Sequence, residues 1–195
     1  MFLENDKYQV KITVDSAYKK ESIDYQYYDF INTGENENGK NSEALRIEID
    51  NCGKKSFLAL AGNVNDSDDN FAVLEDDVLT ILQDKKIIRV NLSENKITLC
   101  KEINCFGNNF GIYICTGGYI VYGETSVIKL NNDLAEEWSF SGNDIFVTQN
   151  GTPAFMIDDN RIKLYDWNYA YYELDFDGNL IRSIYADNTD MDFQI

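Results

Sequence analysis

Apolar residues alternate with polar ones along short runs of this chain, and the runs recur in a fixed order. Tyr8-Gln-Val-Lys-Ile-Thr-Val14 has the period of two that marks a strand buried on one face. Leu45–Ile49 and Phe57–Leu60 continue the pattern around Asn51-Cys-Gly-Lys-Lys55, which predicts a hairpin turn at Gly53. Ser22–Phe30, with Ile23, Tyr25, Tyr27 and Tyr28, predicts one more strand. From Phe71 onward the order becomes regular. Phe71–Glu75, Asp77–Gln83, Ile87–Leu92 and Lys96–Cys100 form one set of four runs. Gly111–Cys115, Tyr119–Tyr122, Ser126–Leu130 and Leu134–Phe140 form a second. Pro153–Ile157, Arg161–Tyr165, Tyr171–Leu174 and Leu180–Tyr185 form a third. Val73, Tyr113 and Phe155 hold matching places in the three sets, about 40 residues apart, a period that signals stacked repeats.

The residues between the runs have turn chemistry. Asp84-Lys-Lys86, Ser93-Glu-Asn95, Asn131-Asn-Asp133 and Asp175-Phe-Asp-Gly-Asn179 supply side chains that bond locally to backbone. Gly178 suits the left-handed position of a bulged hairpin. Residues 71 to 186 resemble successive blades of a β-propeller, and the hairpin from Tyr172 to Leu180 resembles the outer hairpin of many blades. The Trp-Asp dipeptide of WD repeats is missing; Asp166-Trp167 runs in reverse and occurs once. Three clear copies are fewer than the four or more that close a ring. The resemblance therefore implies an all-β chain of repeated antiparallel meanders resembling β-propeller blades. An open half-propeller, with an N-terminal sheet covering one edge, is the expected architecture. Residues 1–62 are expected to supply that sheet, either as a degenerate fourth copy or as a separate small sheet. Residues 71–195 hold the three repeats. Asn63–Asn70, polar and acidic, reads as a solvated connection inside one compact structural unit. The chain also resembles small acidic bacterial proteins, a likeness that brings no catalytic motif with it.

Composition narrows the function. At 195 residues, 44% hydrophobic and 26% charged, the chain is long enough and apolar enough to bury a core. Aromatic residues make up 13% and there is one proline, which favours strands. Lys+Arg number 17 against 34 Asp+Glu, a formal charge of −17. Such a surface repels nucleic acid and anionic membranes and steers in a basic protein. Histidine is absent, which removes the commonest general base and zinc ligand and excludes a histidine-containing triad within the chain. Met1–Lys7 has neither the basic head nor the apolar core of a secretory signal. No window approaches the roughly 20 apolar residues of a membrane span. Cytoplasmic residence is the expectation, and it fits reduced thiols.

Few residues carry candidate chemistry. Cys52, Cys100, Cys105 and Cys115 lack the paired spacing of a four-cysteine zinc site. Cys100 and Cys115 lie in strand runs and are expected to pack as small apolar residues. Gly34-Glu-Asn-Glu-Asn-Gly-Lys40 has phosphate-loop spacing, but Asn41 stands where Ser or Thr is needed and a strand pattern follows. Asp66–Asp77 imitates a calcium loop with Phe71 where glycine is needed. Asp175 and Asp177 with Gly178 lack a completing ligand set. Asp76, Asp77, Glu124, Glu136, Glu137, Asp158 and Asp159 are too many carboxylates to pick a hydrolytic pair. No cofactor or metal is implied. The densest aromatic segment, Tyr165-Asp-Trp-Asn-Tyr-Ala-Tyr-Tyr172, sets Tyr165, Trp167, Tyr169 and Tyr171 on one face if extended, either as core or as a binding rim with Asp166. These features point to a non-enzymatic protein-interaction module for a basic partner, with an acidic immunity-type neutraliser of a toxin as one concrete form. The alternative is a ligand- or glycan-binding module or a carboxylate-dependent hydrolase. The oligomeric state is left open.

Overall fold

A computed structural model describes residues 1–16, 30–33, 44–62, 70–83, 85–103 and 107–185. Every regular element among them is a β-strand. The three regular sets fold as three four-stranded meanders, each strand beside its sequence neighbour. The first comprises β6 (Ala72–Glu75), β7 (Val78–Gln83), β8 (Lys86–Asn91) and β9 (Lys96–Glu102). The second comprises β10 (Asn109–Cys115), β11 (Gly118–Gly123), β12 (Val127–Asn131) and β13 (Glu136–Phe140). The third comprises β14 (Phe155–Asp158), β15 (Arg161–Tyr165), β16 (Tyr171–Leu174) and β17 (Leu180–Ile184). The chain is thus an all-β protein of blade-like meanders.

The repeat extends below the level of strands. The pairing between third and fourth strands slips at a bulge in each meander, at Arg89/Val90, Lys129/Leu130 and Glu173/Leu174. A bulge adds twist and bends a strand, so each meander is shaped at the same point. The turn before each fourth strand is also built alike. Asn91 Oδ1 accepts from Glu94 N at 2.9 Å, Asn131 Oδ1 from Asp133 N at 2.9 Å, and Asp175 Oδ1 from Asp177 N at 3.0 Å. The second and third are Asx turns and the first reaches one residue further, and each ends on a left-handed residue: Asn95 (φ 54°), Leu134 (φ 60°) or Gly178 (φ 83°).

The N-terminal sheet has the order β1-β2-β4-β5-β3. β2 (Tyr8–Asp15), β4 (Ala44–Asn51) and β5 (Lys54–Ala61) match the alternating runs. Cys52 (φ 50°) and Gly53 (φ 89°) make the predicted turn. β1 (Phe2–Glu4) is too short to leave a periodic signal. β1, β2, β4 and β5 pair antiparallel. β3 (Phe30–Thr33) runs parallel to β5 at the edge. Of the strand expected over Ser22–Phe30, all but Phe30 lies outside the described residues, as does Gly34–Lys40.

The chain divides into two compact units, Met1–Asn104 with Asn108–Tyr113, and Cys105–Gly107 with Ile114–Ile195. In the first, the inward faces of β2, β4 and β5 pack on the first meander. Val10, Ile12, Ile47, Ile49, Leu58 and Leu60 meet Leu79, Ile81, Ile88 and Val90 in one core. Polar contacts fix the same pairing: Gln83 Nε2 donates to Leu60 O at 2.9 Å, and Lys7 pairs with Asp77 at 2.9 Å. In the second unit, Phe146 is fully buried and stacks at 6.3 Å on Phe140, while Tyr122 stacks at 4.7 Å on Phe155. Tyr122 Oη donates to Phe146 O, and Phe146 N donates to Glu124 O, both at 2.6 Å.

Burial periodicity separates the sheets. β7 and β11 are buried at consecutive positions, the sign of strands covered on both faces, whereas β2, β15 and β16 alternate. The N-terminal sheet and the third meander each leave one face open. Core packing fails for Cys100, which is exposed on β9, and Cys115 is only half-buried. Period-two position does not bury a side chain on an outermost strand that has no cover.

Candidate functional site: the aromatic turn of the third meander

The segment Tyr165–Tyr172 is not extended. β15 and β16 are two arms of a hairpin, with Tyr165 opposite Tyr171 and residues 166–170 as the connection. The cause is Asp166. Its buried carboxylate accepts from Asn168 N at 3.0 Å and Ala170 N at 2.9 Å through Oδ1, and from Tyr172 Oη at 2.9 Å through Oδ2. A carboxylate with three donors organises a tight turn. Ala170 O accepts from Asp166 N at 3.1 Å, and Asp166 O from Tyr169 N at 3.0 Å; Tyr169 takes the left-handed conformation (φ 62°). The one signal for this turn in the sequence was Asp166 itself, a residue type whose side chain bonds the backbone two residues on.

The turn sorts the five candidate residues into four environments. Asp166 is structural and inside. Tyr165 and Tyr171 remain on one face, brought together by pairing, with ring centroids 5.1 Å apart. Tyr169 is half-buried within the turn. Trp167 is 42% exposed, yet its backbone is held on both sides. Trp167 N donates to Ile145 O at 2.8 Å, and Trp167 O accepts from Gln149 Nε2 at 2.8 Å. Asn168 Nδ2 donates to Asp144 Oδ2 at 2.6 Å. Asp144, Gln149, Asn168 and Tyr172 were not singled out by sequence, since their bonds join the turn to the distant segment 143–149.

Tyr172 is the inner anchor. It is 2% exposed, and its hydroxyl donates to Asp166 while accepting from Asn143 N at 3.0 Å. Burial, joined by the bond to Asp166, pushes this hydroxyl up from 10.0 to about 12. Burial likewise raises Tyr171, whose hydroxyl donates to Glu173 Oε2 at 3.1 Å.

The open face beside the turn is charged. Alternation and register place Met156 and Asp158 of β14, Arg161 and Lys163 of β15, Glu173 of β16, and Arg182 and Ile184 of β17 with Tyr165 and Tyr171. Lys163 pairs with Asp158 at 2.7 Å, and Arg161 with Glu173 at 3.6 Å. Of the other carboxylates, Asp77 pairs with Lys7 and Glu137 with Lys129, while Asp76 and Asp159 occupy left-handed turn positions. Glu48 and Asp158 are held below their ordinary values by lysine hydrogen bonds, and Asp175 by Asn179. That direction is opposite to the raised value of a general acid. Among the described residues no group of three or more Cys, Asp or Glu is placed to hold a metal ion. Among the described residues no helix is long and apolar enough to cross a membrane.

No protein-family profile matches the chain, and no curated protein matches it. Three solved structures show its likenesses. BamB from Moraxella catarrhalis is 9% identical over 74% of this chain and 47% of its own, with a TM-score of 0.46. The Pan2 WD40 domain from Neurospora crassa is 17% identical over 60% and 37%, at 0.45. BBS1N, solved in complex with ARL6DN, is 13% identical over 74% and 49%, at 0.46. This chain spans less than half the length of each. The fold class rests on the register, bulges and turns of its own sheets.

Proposed function

We propose that this protein is a non-enzymatic protein-interaction module whose contact centre is the aromatic turn, and that its partner is basic. One observation carries the reading: Trp167 holds its indole out to solvent on a backbone fixed at both its N–H and its C=O. An aromatic residue whose backbone is already fixed before binding has less entropy to lose in the complex, and Trp is enriched at binding hot spots. A basic partner is supported by the charge of −17, which steers cations toward the protein and offers carboxylates for charge-assisted bonds. The concrete form is an immunity-type protein that neutralises a basic toxin in the cytoplasm.

Affinity capture from the native host, run at low and high salt with wild type and Trp167→Ala, tests the reading. A basic protein retained at low salt, released by high salt and lost with Trp167→Ala is the expected result. Loss of affinity by about ten-fold or more would match a hot-spot residue. Capture without any basic protein, or capture indifferent to Trp167, overturns it.

A further inference from the structure

The outermost strands of the three meanders do not end alike. β9 carries Lys96, Lys101 and Glu102, and β13 opens with Glu136 and Glu137. Such charges blunt an edge against pairing with other chains. β17 reads Leu-Ile-Arg-Ser-Ile, with a single charge. Its Leu180, Ile181 and Ile184 are exposed, as is Tyr185 beyond it.

The shared bulge aligns the three strands residue for residue. Leu99 faces Arg89, Trp138 faces Lys129, and Arg182 faces Glu173, each just before the slip. Leu99 and Trp138 are half-buried; Arg182 is exposed. The cover on Trp138 is visible. Its Nε1 donates to Phe176 O at 3.1 Å, and a Cβ on Gly178 would fall 2.7 Å from its Cδ2. An acidic Asx turn, Asp175–Asn179, is therefore seated on the edge strand of the preceding meander. Arg182 stands at the corresponding place on β17, and no ion pair to it exists among the described residues.

We propose that β17, with Arg182 at its centre, docks the acidic turn of a β-hairpin belonging to another protein, in the manner that Asp175–Asn179 sits on Trp138. Arg182 replaces one indole N–H with five donors, which suit a turn carbonyl together with a carboxylate. Ile184 flanks it two residues away on the same face, while the bulge sets Leu180 opposite the inward-facing Leu174. The local charge is complementary. The open face bears Arg161, Lys163 and Arg182 against Asp158 and Glu173, in a chain whose acids outnumber its bases 34 to 17. Antiparallel pairing of β17 with a second β17 about its centre sets Arg182 opposite Arg182, and like charges directly opposite are unfavourable.

The probe is a stapled, labelled hairpin peptide with the sequence Tyr171–Ile184, because an unstapled hairpin is marginal in water. It is titrated with the full chain, wild type and Arg182→Glu. Saturable binding is expected, weakened by about ten-fold or more in Arg182→Glu, as for loss of a charge-assisted contact. Arg182→Lys should retain part of the affinity. A peptide with Asp177→Asn should bind less well, and salt should weaken both. Absence of saturation at about 1 mM overturns the proposal, as does binding indifferent to Arg182. Self-association abolished by Arg182→Glu, without peptide binding, would give the edge to a second copy. Peptide binding seen only after removal of residues 186–195 would give it to the chain's own segment. Either result overturns the proposal.

Discussion

At the residue scale, Asp166 and Tyr172 form the polar centre of the aromatic turn, and both can be tested without a ligand. The raised Tyr172 hydroxyl means that the fold prefers its neutral form. That stabilisation is fully present below about pH 10, the ordinary tyrosine value, and is lost as pH rises through about 12. Chemical denaturation between pH 9 and about 12 should show wild type losing stability faster than Tyr172→Phe. Equal slopes would remove the account of the hydroxyl given above. Asp166→Ala strands two backbone N–H groups and one hydroxyl, so thermal or denaturant unfolding should show a loss of about 1–3 kcal/mol or more. Asp166→Asn keeps an acceptor and should lose less. Trp167→Ala, by contrast, should leave stability within about 0.5–1 kcal/mol. The chemistry of these residues was only half legible in the sequence. Aromatic density marked the segment, but extended geometry put Trp167 on the face of Tyr165 and Tyr171. The buried Asp166 overrode that geometry by bending the chain.

At the element scale, the strands were legible because each had to bury alternate positions, and the repeat supplied three readings of the same pattern. The bulges were not legible. Nothing in Arg89-Val90, Lys129-Leu130 or Glu173-Leu174 announces an extra residue, since a bulge is defined by the partner strand. β1 and β3 were lost for related reasons: one is three residues long and the other pairs in parallel with a distant strand. The Asx turns were legible as Asn and Asp clusters, though not their seating. Gly178 shows the difference. Its φ of 83° was expected of a turn glycine, but the indole of Trp138 beneath it was not. Gly178→Ala meets both the left-handed backbone and the ring, and should destabilise by about 1–3 kcal/mol. Trp138 fluorescence should shift in the same variant, because its hydrogen bond to Phe176 O lies in that turn. An unshifted spectrum would mean that the turn is not seated on the ring.

At the scale of the whole molecule, stability and the proposed recognition draw on different residues. The core of the first unit joins the N-terminal sheet to the first meander, so damage on either side should be felt by both. Leu79→Ala, at a fully buried position in that core, should cost about 2–5 kcal/mol in denaturant unfolding. Far-UV and tyrosine signals should lose structure together within that unit. Charge acts elsewhere. The excess of acid is compatible with the fold because acidic residues gather in turns and on outer strands, as at Asp76, Asp159, Glu136 and Glu137. Composition alone showed the excess but not its distribution, and the open face of the third meander carries three cations, Arg161, Lys163 and Arg182, against two carboxylates.

That distribution decides how the purified protein should behave in a tube. Copies bearing −17 repel one another at low ionic strength, and this keeps exposed apolar side chains such as Phe2, Ile114 and Trp167 away from those of other copies. Salt shortens the reach of that repulsion to a few ångströms and leaves apolar attraction intact. Most proteins held together by charge are loosened by added salt. Here added salt should do the reverse and promote clumping, so concentration and storage are best carried out in dilute buffer.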